Sequence, residues 1–428
     1  MPGGQDQAAS HAGHGPLDVV RVAAGNFLEM YDFMVFGYYA AAIGKAFFPA
    51  GDPFASLMLS LMTFGAGFLM RPIGAVVLGA YTDRHGRRKG LILSLSLMSL
   101  GILTLALTPG YRTIGLFAPI LVVLGRLVQG FSAGVELGAV SVYLAEIAPE
   151  GRKGFYVSWQ SASQQVAVVT AAGIGALLAL WLTPRQMGDF GWRIPLLVGC
   201  AVAPFIFLLR RQLKETDAFR ARGAPPSFSR IWRGLAGHWR AVLTGMVLAT
   251  MTTVSFYMIT AYTPTFGGLL KLPAGQTLVV TACVGVSNLI WLPVMGAVSD
   301  RLGRRPVLIA CTLAALLTAY PAMAWLASGP SFGRMLAVEL WLSFVYASYN
   351  GAMVVFLTEI IPAEVRAAGF SLAYSLATAI FGGFTPAIAT GLIHVTGNHA
   401  MPGAWLSAAA AAGLIASLVA KPPANASS

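Results

Sequence analysis

The segment GAYTDRHGRR, residues 79–88, returns as GAVSDRLGRR at residues 296–305. A second pair of segments recurs at nearly the same offset, YLAEIAPEGRKGF at 143–155 and FLTEIIPAEVRAAGF at 356–370. Segments that repeat in the same order at a fixed spacing indicate a duplicated architecture. The sequence therefore predicts two halves with the same orientation.

The composition places the chain in a membrane. Of its 428 residues, 57% are hydrophobic and only 10% are charged, which excludes a water-soluble globule. Windows of about 20 apolar residues, the length that crosses a bilayer, alternate with short charged or Pro/Gly-rich breaks. They predict an all-α integral membrane protein with twelve transmembrane helices in two pseudo-symmetric six-helix bundles. The predicted helices lie near 19–47, 54–82, 89–108, 115–147, 154–182, 193–211, 240–268, 274–299, 306–327, 334–361, 367–395 and 402–420.

The predicted domain organisation follows from the repeat and from the one long polar connection. It consists of a tail 1–18, a first bundle 19–211, a linker 212–239, a second bundle 240–420 and a tail 421–428.

The positive charges behind the formal net charge of +12 are not spread evenly over the loops that connect the predicted helices. Basic clusters fill alternate loops, at 84–89, 152–153, 210–240 and 301–305. This positive-inside pattern predicts that the basic loops and both termini are cytoplasmic. A charge that follows topology argues against nucleic-acid binding, which needs one basic face.

Other features of the sequence argue against a signal peptide, a disulfide framework, a metal site and enzyme activity. The N-terminal segment has no basic n-region or small-residue cleavage site, so we expect no removable signal peptide. Cys200, Cys283 and Cys311 lie in apolar helices, which argues against a disulfide framework or a metal site. The segment GFSAG, residues 130–134, formally matches a nucleophile elbow, but it lies within a spanning helix rather than at a strand-to-helix turn. No metalloprotease or phosphate-loop motif is present, so we expect no enzyme activity and no cofactor.

The repeated Gly-x-x-x-Asp-Arg-x-Gly-Arg-Arg loop resembles the signature of the major facilitator superfamily. The resemblance implies a cytoplasmic gate, in which Asp83 and Asp300 accept hydrogen bonds from helix termini and arginines of the opposite half. Charges that only set topology would explain the arginines but not the repeated Asp and Gly. The predicted gate residues are Gly79, Asp83, Arg84, Arg87, Arg88, Glu146, Asp300, Arg301, Arg304, Arg305 and Glu359.

Longer stretches narrow this resemblance over about residues 18–420. They are similar to the metabolite–proton symporters, and within that group most similar to the citrate and tricarballylate carriers. The stretches are GNFLEMYDF, FLMRPIGAVVLGAYTDRHGRRKG, GRLVQGFSAGVELGAVSVYLAEI, SWQSASQQVA, GWRIP, FYMITAYTPTFG, GVSNLIWLP and GFSLAYSLATAIFGGFTPAI.

The resemblance implies a monomeric secondary transporter of the bacterial cytoplasmic membrane that imports a tricarboxylate with protons by alternating access. Three alternatives stay open at the level of sequence. They are a sister symporter for a dicarboxylate, shikimate or an osmolyte; sodium in place of proton coupling; and a non-transporting receptor built on the same fold.

Two arginines stand inside predicted helices, where an anion carrier needs cations near the midplane. Arg71 precedes Asp83 by twelve residues, about 18 Å of helix, which places it too deep to snorkel easily. Arg126 lies in the outer half of the fourth helix, where snorkelling is the alternative to a substrate or ion-pair role.

The carboxylates within the helices are the candidates for proton coupling, because an ionisable group at the bilayer centre costs at least about 3 kcal/mol. Asp32 is the first candidate, since the related sugar–proton symporters pair an Asp of the first helix with an Arg of the fourth. Glu29, one turn away, is the second. Glu136 is the third, and it alternatively neutralises Arg71 or bonds to a neighbouring helix. We interpret Glu339 as a structural pair.

Further polar side chains complete the predicted binding set. Gln160 and Gln164 share a helix face at i, i+4, and amide donors suit carboxylates, although interhelical hydrogen bonding is the alternative. The predicted substrate-binding residues are Asn26, Arg71, Arg126, Gln129, Gln160, Gln164, Gln165, Tyr257, Thr260, Tyr262, Asn288, Tyr346 and Asn350.

Overall fold

The computed structural model describes residues 25–85, 87–134, 136–211, 228–362 and 365–420. Both predicted tails and residues 212–227 of the predicted linker lie outside this part of the chain. The regular structure of the described residues is helical. We number the spans one to twelve along the chain, and a span that is broken consists of two or more helices.

The first half contains spans one to six. In chain order their helices are Gly25–Tyr38 with Ala40–Phe47, Pro53–Leu69 with Arg71–His85, Arg87–Leu107, Phe117–Ser132 with Glu136–Ile147, Lys153–Trp181, and Arg193–Arg211. Three short helices occupy the connections, and they are Tyr111–Ile114, Pro184–Gln186 and Met187–Gly191.

The second half contains spans seven to twelve. Their helices are Trp239–Ile259 with Thr263–Leu269, Ala274–Leu302, Arg304–Ser328, Phe332–Ile360, Arg366–Ala377 with Thr378–Gly382 and Thr385–Thr396, and Met401–Val419.

Length and composition identify most of these helices as membrane spans. Eight helices of the described residues are long and apolar enough to cross a bilayer, and a ninth is a pair bent by 42° at the start of span six. Spans three and four contain the shorter apolar helices Ile92–Leu107 and Phe117–Ser132. With the helices at the start of the described chain, these make the twelve spans that the sequence predicts. The predicted all-α membrane fold is confirmed.

Several spans predicted as continuous helices are broken. Span seven breaks between Ile259 and Thr263, where Pro264 stands in the first turn of the next helix and cannot continue the hydrogen-bond ladder. Nearby hydroxyls bond to the backbone at the break: Thr260 donates to the Phe256 carbonyl at 2.5 Å and Thr263 to the Ile259 carbonyl at 2.8 Å. Side chains of this kind stabilise broken helices where no water is present.

The two halves contact each other along spans five and eight. A Cβ on Gly154 would lie 2.3 Å from the Gly296 carbonyl oxygen, so the two backbones touch directly at one end of this interface. Toward the opposite ends of the spans, a Cβ on Gly37 of span one would lie 3.0 Å from the Ala261 carbonyl oxygen of span seven. Small residues allow this close approach. Arg71 and Arg126 are buried in this arrangement, with exposed fractions of only 2% and 1%, and we refer to the region around them as the enclosed centre.

The predicted linker contains a helix that the sequence analysis did not anticipate, Phe228–Gly237. It packs on the start of span eleven, because a Cβ on Gly234 would lie 2.6 Å from Cγ1 of Val365.

Candidate functional site

Arg126 and Asp32 form a buried ion pair between spans four and one. The Arg126 Nη1 donates to Oδ2 of Asp32 at 3.0 Å and to Oε1 of Gln129 at 2.7 Å. The predicted pairing of Asp32 with Arg126 is confirmed. The Arg126 Nε and Nη2 and the Asp32 Oδ1 have no hydrogen-bond partner. Buried polar atoms of this kind are costly unless a ligand or water bonds to them, so these atoms are candidates to bind one.

Arg71 of span two forms a second buried ion pair with span one, the span that contains Asp32. Its Nη2 lies 2.5 Å from Oε1 of Glu29, and its Nε has no partner. One alternative of the sequence analysis had Glu136 neutralise Arg71. The structure pairs Arg71 with Glu29, which lies on the facing helix. The side chain of Glu136 lies outside the described residues, so its role stays a prediction.

The ring of Phe33 lies beside both guanidinium groups. The Arg126 Cζ is 4.4 Å and the Arg71 Cζ 5.1 Å from its centroid. Phe36 and Phe68 complete the aromatic surround, at 4.5 Å from Arg126 and 4.8 Å from Arg71 respectively. Aromatic faces stabilise desolvated cations. Sequence reasoning missed these rings, although Phe33 adjoins Asp32 and follows Glu29 by one turn.

Aromatic residues of the second half close the site from the other side. The Tyr257 ring lies 5.1 Å from Phe68 and 5.9 Å from Phe64, so it bridges the two halves. Tyr346 contacts the neighbouring Phe256 at 5.8 Å. Tyr374 of span eleven lies within electrostatic range of Arg71 and Tyr257. Sequence reasoning missed Tyr374.

The predicted amide side chains fall into two groups. Asn350 is fully buried with both amide atoms unpartnered, and the Nε2 atoms of Gln160 and Gln129 are unpartnered as well. Asn288, by contrast, donates to Gln165 across the half–half interface at 3.2 Å and accepts from Ser343 at 2.8 Å. The first group retains capacity for a ligand, whereas the second fits the interhelical alternative.

The remaining predicted binding residues fall into three groups. Some make hydrogen bonds to nearby protein groups, some are buried, and one has a side chain outside the described residues. Thr390 donates to the Tyr262 hydroxyl at 3.1 Å, and the Thr260 hydroxyl donates to its own helix. Gln164 is buried. The side chain of Asn26 lies outside the described residues.

Asp300 joins the two halves at the second copy of the repeated loop. Its carboxylate accepts the backbone N–H groups of Gly154 at 2.8 Å and Phe155 at 3.0 Å, at the start of span five. The Arg304 Nη1 lies 2.7 Å from the same carboxylate, and Nη2 lies 3.4 Å from Glu359. The predicted contact of Asp300 with a helix terminus of the opposite half is therefore present, whereas the arginine that pairs with it, Arg304, belongs to the same half and follows it by one helical turn.

The comparison with protein families decides the identity of the fold. The family model for "Sugar (and other) transporter" matches residues 19–224 and 212–419. The chain belongs to this transporter family, within the major facilitator superfamily.

Individual relatives of the transporter are also similar over nearly their whole length. The citrate-proton symporter of Klebsiella pneumoniae is 60% identical over 399 residues, covering 93% of this chain and 90% of the relative. The proline/betaine transporter of Escherichia coli (strain K12) is 31% identical, covering 95% and 83%. These relatives are transporters and not enzymes, in agreement with the sequence prediction.

Solved structures support the same fold. The crystal structure of a D-xylose-proton symporter matches with a TM-score of 0.75 at 19% identity, covering 94% of this chain and 96% of that one. The Escherichia coli fucose:proton symporter matches with a TM-score of 0.61 at 18% identity.

The other predicted gate residues of the transporter are dispersed. Arg305 donates to the carbonyls of Ser417 and Leu418 at the end of span twelve, while Arg301 and Glu146 are exposed. A Cβ on Gly79 would meet nothing within 4 Å, in contrast to the tight contact of its repeat mate Gly296. The side chains of Asp83, Arg84, Arg87 and Arg88 lie outside the described residues.

Taken together, the enclosed centre of the transporter presents two cations, each with a carboxylate partner and at least one unpartnered N–H. Such a centre suits a small anion bearing more than one carboxylate, because a guanidinium binds carboxylates through several donors. The acids beside the arginines provide groups whose protonation alters the charge of the site.

Proposed function

We propose that this protein is a citrate–proton symporter of the bacterial cytoplasmic membrane. The proposal is carried by the pair of buried arginines, Arg71 and Arg126, each with at least one unpartnered donor at the interface of the two halves. It is supported by the 60% identity to the citrate-proton symporter of Klebsiella pneumoniae.

In this proposal the substrate carboxylates bind the free donors of the centre. The Arg126 Nε and Nη2 and the Arg71 Nε supply charge-assisted bonds, and the Asn350 amide supplies a neutral one from the second half. Gln129 accepts a bond from Arg126, and the Tyr257 ring packs on Phe68 beside Arg71. Tyr346, Gln160 and Gln164 are further candidate ligands. Binding a ligand between groups of both halves draws the halves together, which is the requirement for alternating access.

The coupling proton binds to Asp32. As a carboxylate, Asp32 occupies the Nη1 of Arg126, and that contact competes with substrate. Protonation removes the negative charge beside Arg126, so the guanidinium becomes a better partner for citrate. Burial disfavours the charged carboxylate and Arg126 favours it, so opening the site to water changes its proton occupancy. Glu29 has the corresponding place beside Arg71 and is the second candidate.

The Asp300 contact serves as the cytoplasmic gate. Its bonds to Gly154 and Phe155 hold the start of span five against the end of span eight, and they must break when the carrier opens to the cytoplasm. In this arrangement both chain termini and the basic loops are cytoplasmic, and the protein functions as a monomer.

The membrane potential opposes the entry of a trianion, so its uptake must be coupled to the entry of cations. Moving three negative charges inward against about 100 mV, negative inside, costs roughly 7 kcal/mol. A uniporter would therefore exclude citrate from the cell by about five orders of magnitude. Three accompanying positive charges offset this electrical cost in full, and we propose three or more protons, carried by the protein and by the substrate itself.

Transport into proteoliposomes tests the proposal. Purified protein is reconstituted, an inward proton gradient is imposed, and uptake of labelled citrate is measured with and without sodium. Unlabelled tricarballylate, succinate and betaine are added as competitors, and a protonophore is the control for coupling.

We expect uptake that needs no sodium and collapses with the protonophore. Strong competition by tricarballylate would extend the substrate class to other tricarboxylates, whereas competition by succinate or betaine alone would replace citrate with another solute. Citrate entry that ignores both the pH gradient and the membrane potential would overturn proton coupling.

A further inference from the structure

Glu339 is a buried acid that the proposed transport cycle does not yet use. It lies in span ten, seven residues from the start of the helix Phe332–Ile360, or about 10 Å along its axis. Its side chain is only 1% exposed, and its Oε2 has no hydrogen-bond partner.

The internal repeat pairs Glu339 with Arg126. Each residue stands 20 positions before the glutamate of the repeated Glu-Ile pair, Glu359 in the second half and Glu146 in the first. The alignment between them needs no gap, and Gly351 matches Gly138 within it. The position that holds a buried cation in one half therefore holds a buried acid in the other.

The surroundings of Glu339 favour a protonated carboxyl group. Thr263, at the break of span seven, lies beside it. The single proton of the Thr263 hydroxyl is directed at the Ile259 carbonyl at 2.8 Å, and the Glu339 Oε2 has no partner. A buried carboxyl group that lacks donors is less costly as a neutral acid than as a carboxylate.

The electrostatic surroundings agree with a neutral acid. Among the residues that the structure describes, no Lys, Arg or His lies within ion-pairing distance of Glu339. Arg334 of the same span donates to the Trp325 carbonyl and lies over its ring at 5.0 Å. Lys271, beyond span seven, is exposed, and Tyr262 accepts a bond from Thr390. An ionised carboxylate here would be buried without a counter-charge, which is strongly unfavourable.

We propose that Glu339 is a second proton-binding site of the transporter. The inference rests on the proposed symport and supplies one of the protons that a trianion requires. The carboxylate takes one proton from the outer solution when the site opens outward, holds it as a carboxylic acid while the site is closed, and releases it to the cytoplasm after the site opens inward. The break in span seven beside Thr263 is the point at which water reaches it.

Infrared difference spectroscopy of the purified protein tests the protonation state without any substrate. We expect the carbonyl band of a protonated carboxylic acid near neutral pH, shifted by exchange into D2O and absent from E339Q. The control is D189N, which removes an exposed loop carboxylate that is 69% exposed and should leave the band unchanged. If E339Q fails to fold, E339D keeps the acid and should move the band. A band that neither substitution alters overturns the assignment.

The proton count per citrate tests the role in transport. In proteoliposomes, E339Q should retain citrate counterflow and carry one proton fewer per citrate than the wild type. At a pH gradient of one unit and zero voltage, its steady-state accumulation should be about tenfold lower. An unchanged ratio in E339Q beside an active wild type overturns the second proton site alone. A wild type that imports no citrate overturns the proposed function, and the infrared band then stands as a separate result.

Discussion

The Arg126 guanidinium lies 3.0 Å from the Asp32 carboxylate, and each side chain is only 1% exposed. The pair joins spans one and four at the enclosed centre of the transporter. Since Arg126 keeps two unpartnered nitrogen donors while Asp32 occupies a third, the acid and a substrate carboxylate compete for one cation.

Asp32→Asn separates proton coupling from substrate exchange. The amide keeps an oxygen toward Arg126 but cannot bind the coupling proton, so gradient-driven citrate accumulation should be abolished. Counterflow exchange between equal citrate pools should persist. The two assays use the same proteoliposomes, with thermal unfolding as the control, because an unpaired buried charge can cost about 3–5 kcal/mol of stability. Loss of both activities in a folded variant would indicate a structural role for Asp32.

Arg71→Lys should weaken citrate binding while keeping the charge. Lysine lacks the planar fork and the stacking on Phe33 and Phe68, so it cannot both pair with Glu29 and reach the substrate. A charge-assisted bond contributes about 1.5–3 kcal/mol, which corresponds to an increase in KM of roughly 10- to 100-fold.

The matched control for Arg71 is R185K, at an arginine of the connection between spans five and six whose side chain is 92% exposed. It should leave KM unchanged. An R71K variant with wild-type KM would remove Arg71 from the substrate site.

Gly154→Ala should shift the carrier toward the cytoplasm-open state. The new Cβ would lie 2.3 Å from the Gly296 carbonyl oxygen, so the ends of spans five and eight must separate. A cysteine introduced at the buried Ser158, after replacement of the three native cysteines, reports this opening through its reaction with an impermeant maleimide on the cytoplasmic side. A shift of 1.4 kcal/mol in the equilibrium would accelerate labelling by about tenfold.

Gly173→Ala on the same span is the control, since a Cβ there meets nothing within 4 Å. It should label at the parent rate. Equal labelling of G154A and G173A would contradict the gate assigned to this contact.

Asn350→Leu should raise stability and lower citrate affinity at once. Both amide atoms of Asn350 are buried and unpartnered, and removal of such groups relieves about 1–3 kcal/mol of desolvation cost. Thermal unfolding and citrate binding are measured on the same detergent-solubilised preparation.

Asn288→Leu provides the opposite case, because Asn288 bonds to Gln165 and Ser343, and its loss leaves the buried Gln165 Oε1 without its donor. It should unfold at a lower temperature than the wild type. If N350L is destabilised as much as N288L, Asn350 has a packing role and no place in the substrate site.

The fold could be predicted from the sequence. Each spanning helix forms its own backbone hydrogen bonds and is recognised by the length of its apolar segment. The breaks in the spans were less accessible. Pro264 could have indicated the break in span seven, but the turn at Tyr39 in span one follows no proline. It depends on packing between spans, which no local pattern records.

The site was partly accessible as well. Ionisable residues are rare in membrane-spanning helices, so each one could be identified in the sequence as a candidate. The pairing of Asp32 with Arg126 followed from the resemblance to the sugar–proton symporters. The partner of Arg71 did not follow, because the sequence analysis considered only Glu136 for that role, and nothing in the local pattern relates Glu29 to Arg71. Phe33 was missed since a phenylalanine in an apolar helix carries no signal of its own.

The sequence by itself determined the membrane environment, the twelve spans and the twofold repeat, since hydropathy and repetition are properties read along one chain. Only the tertiary structure decided which acid meets which arginine, which amides stay unpartnered, and that Asp300 caps span five. Those facts depend on distances of about 3 Å between helices far apart in the chain, and such distances arise when the two bundles pack together.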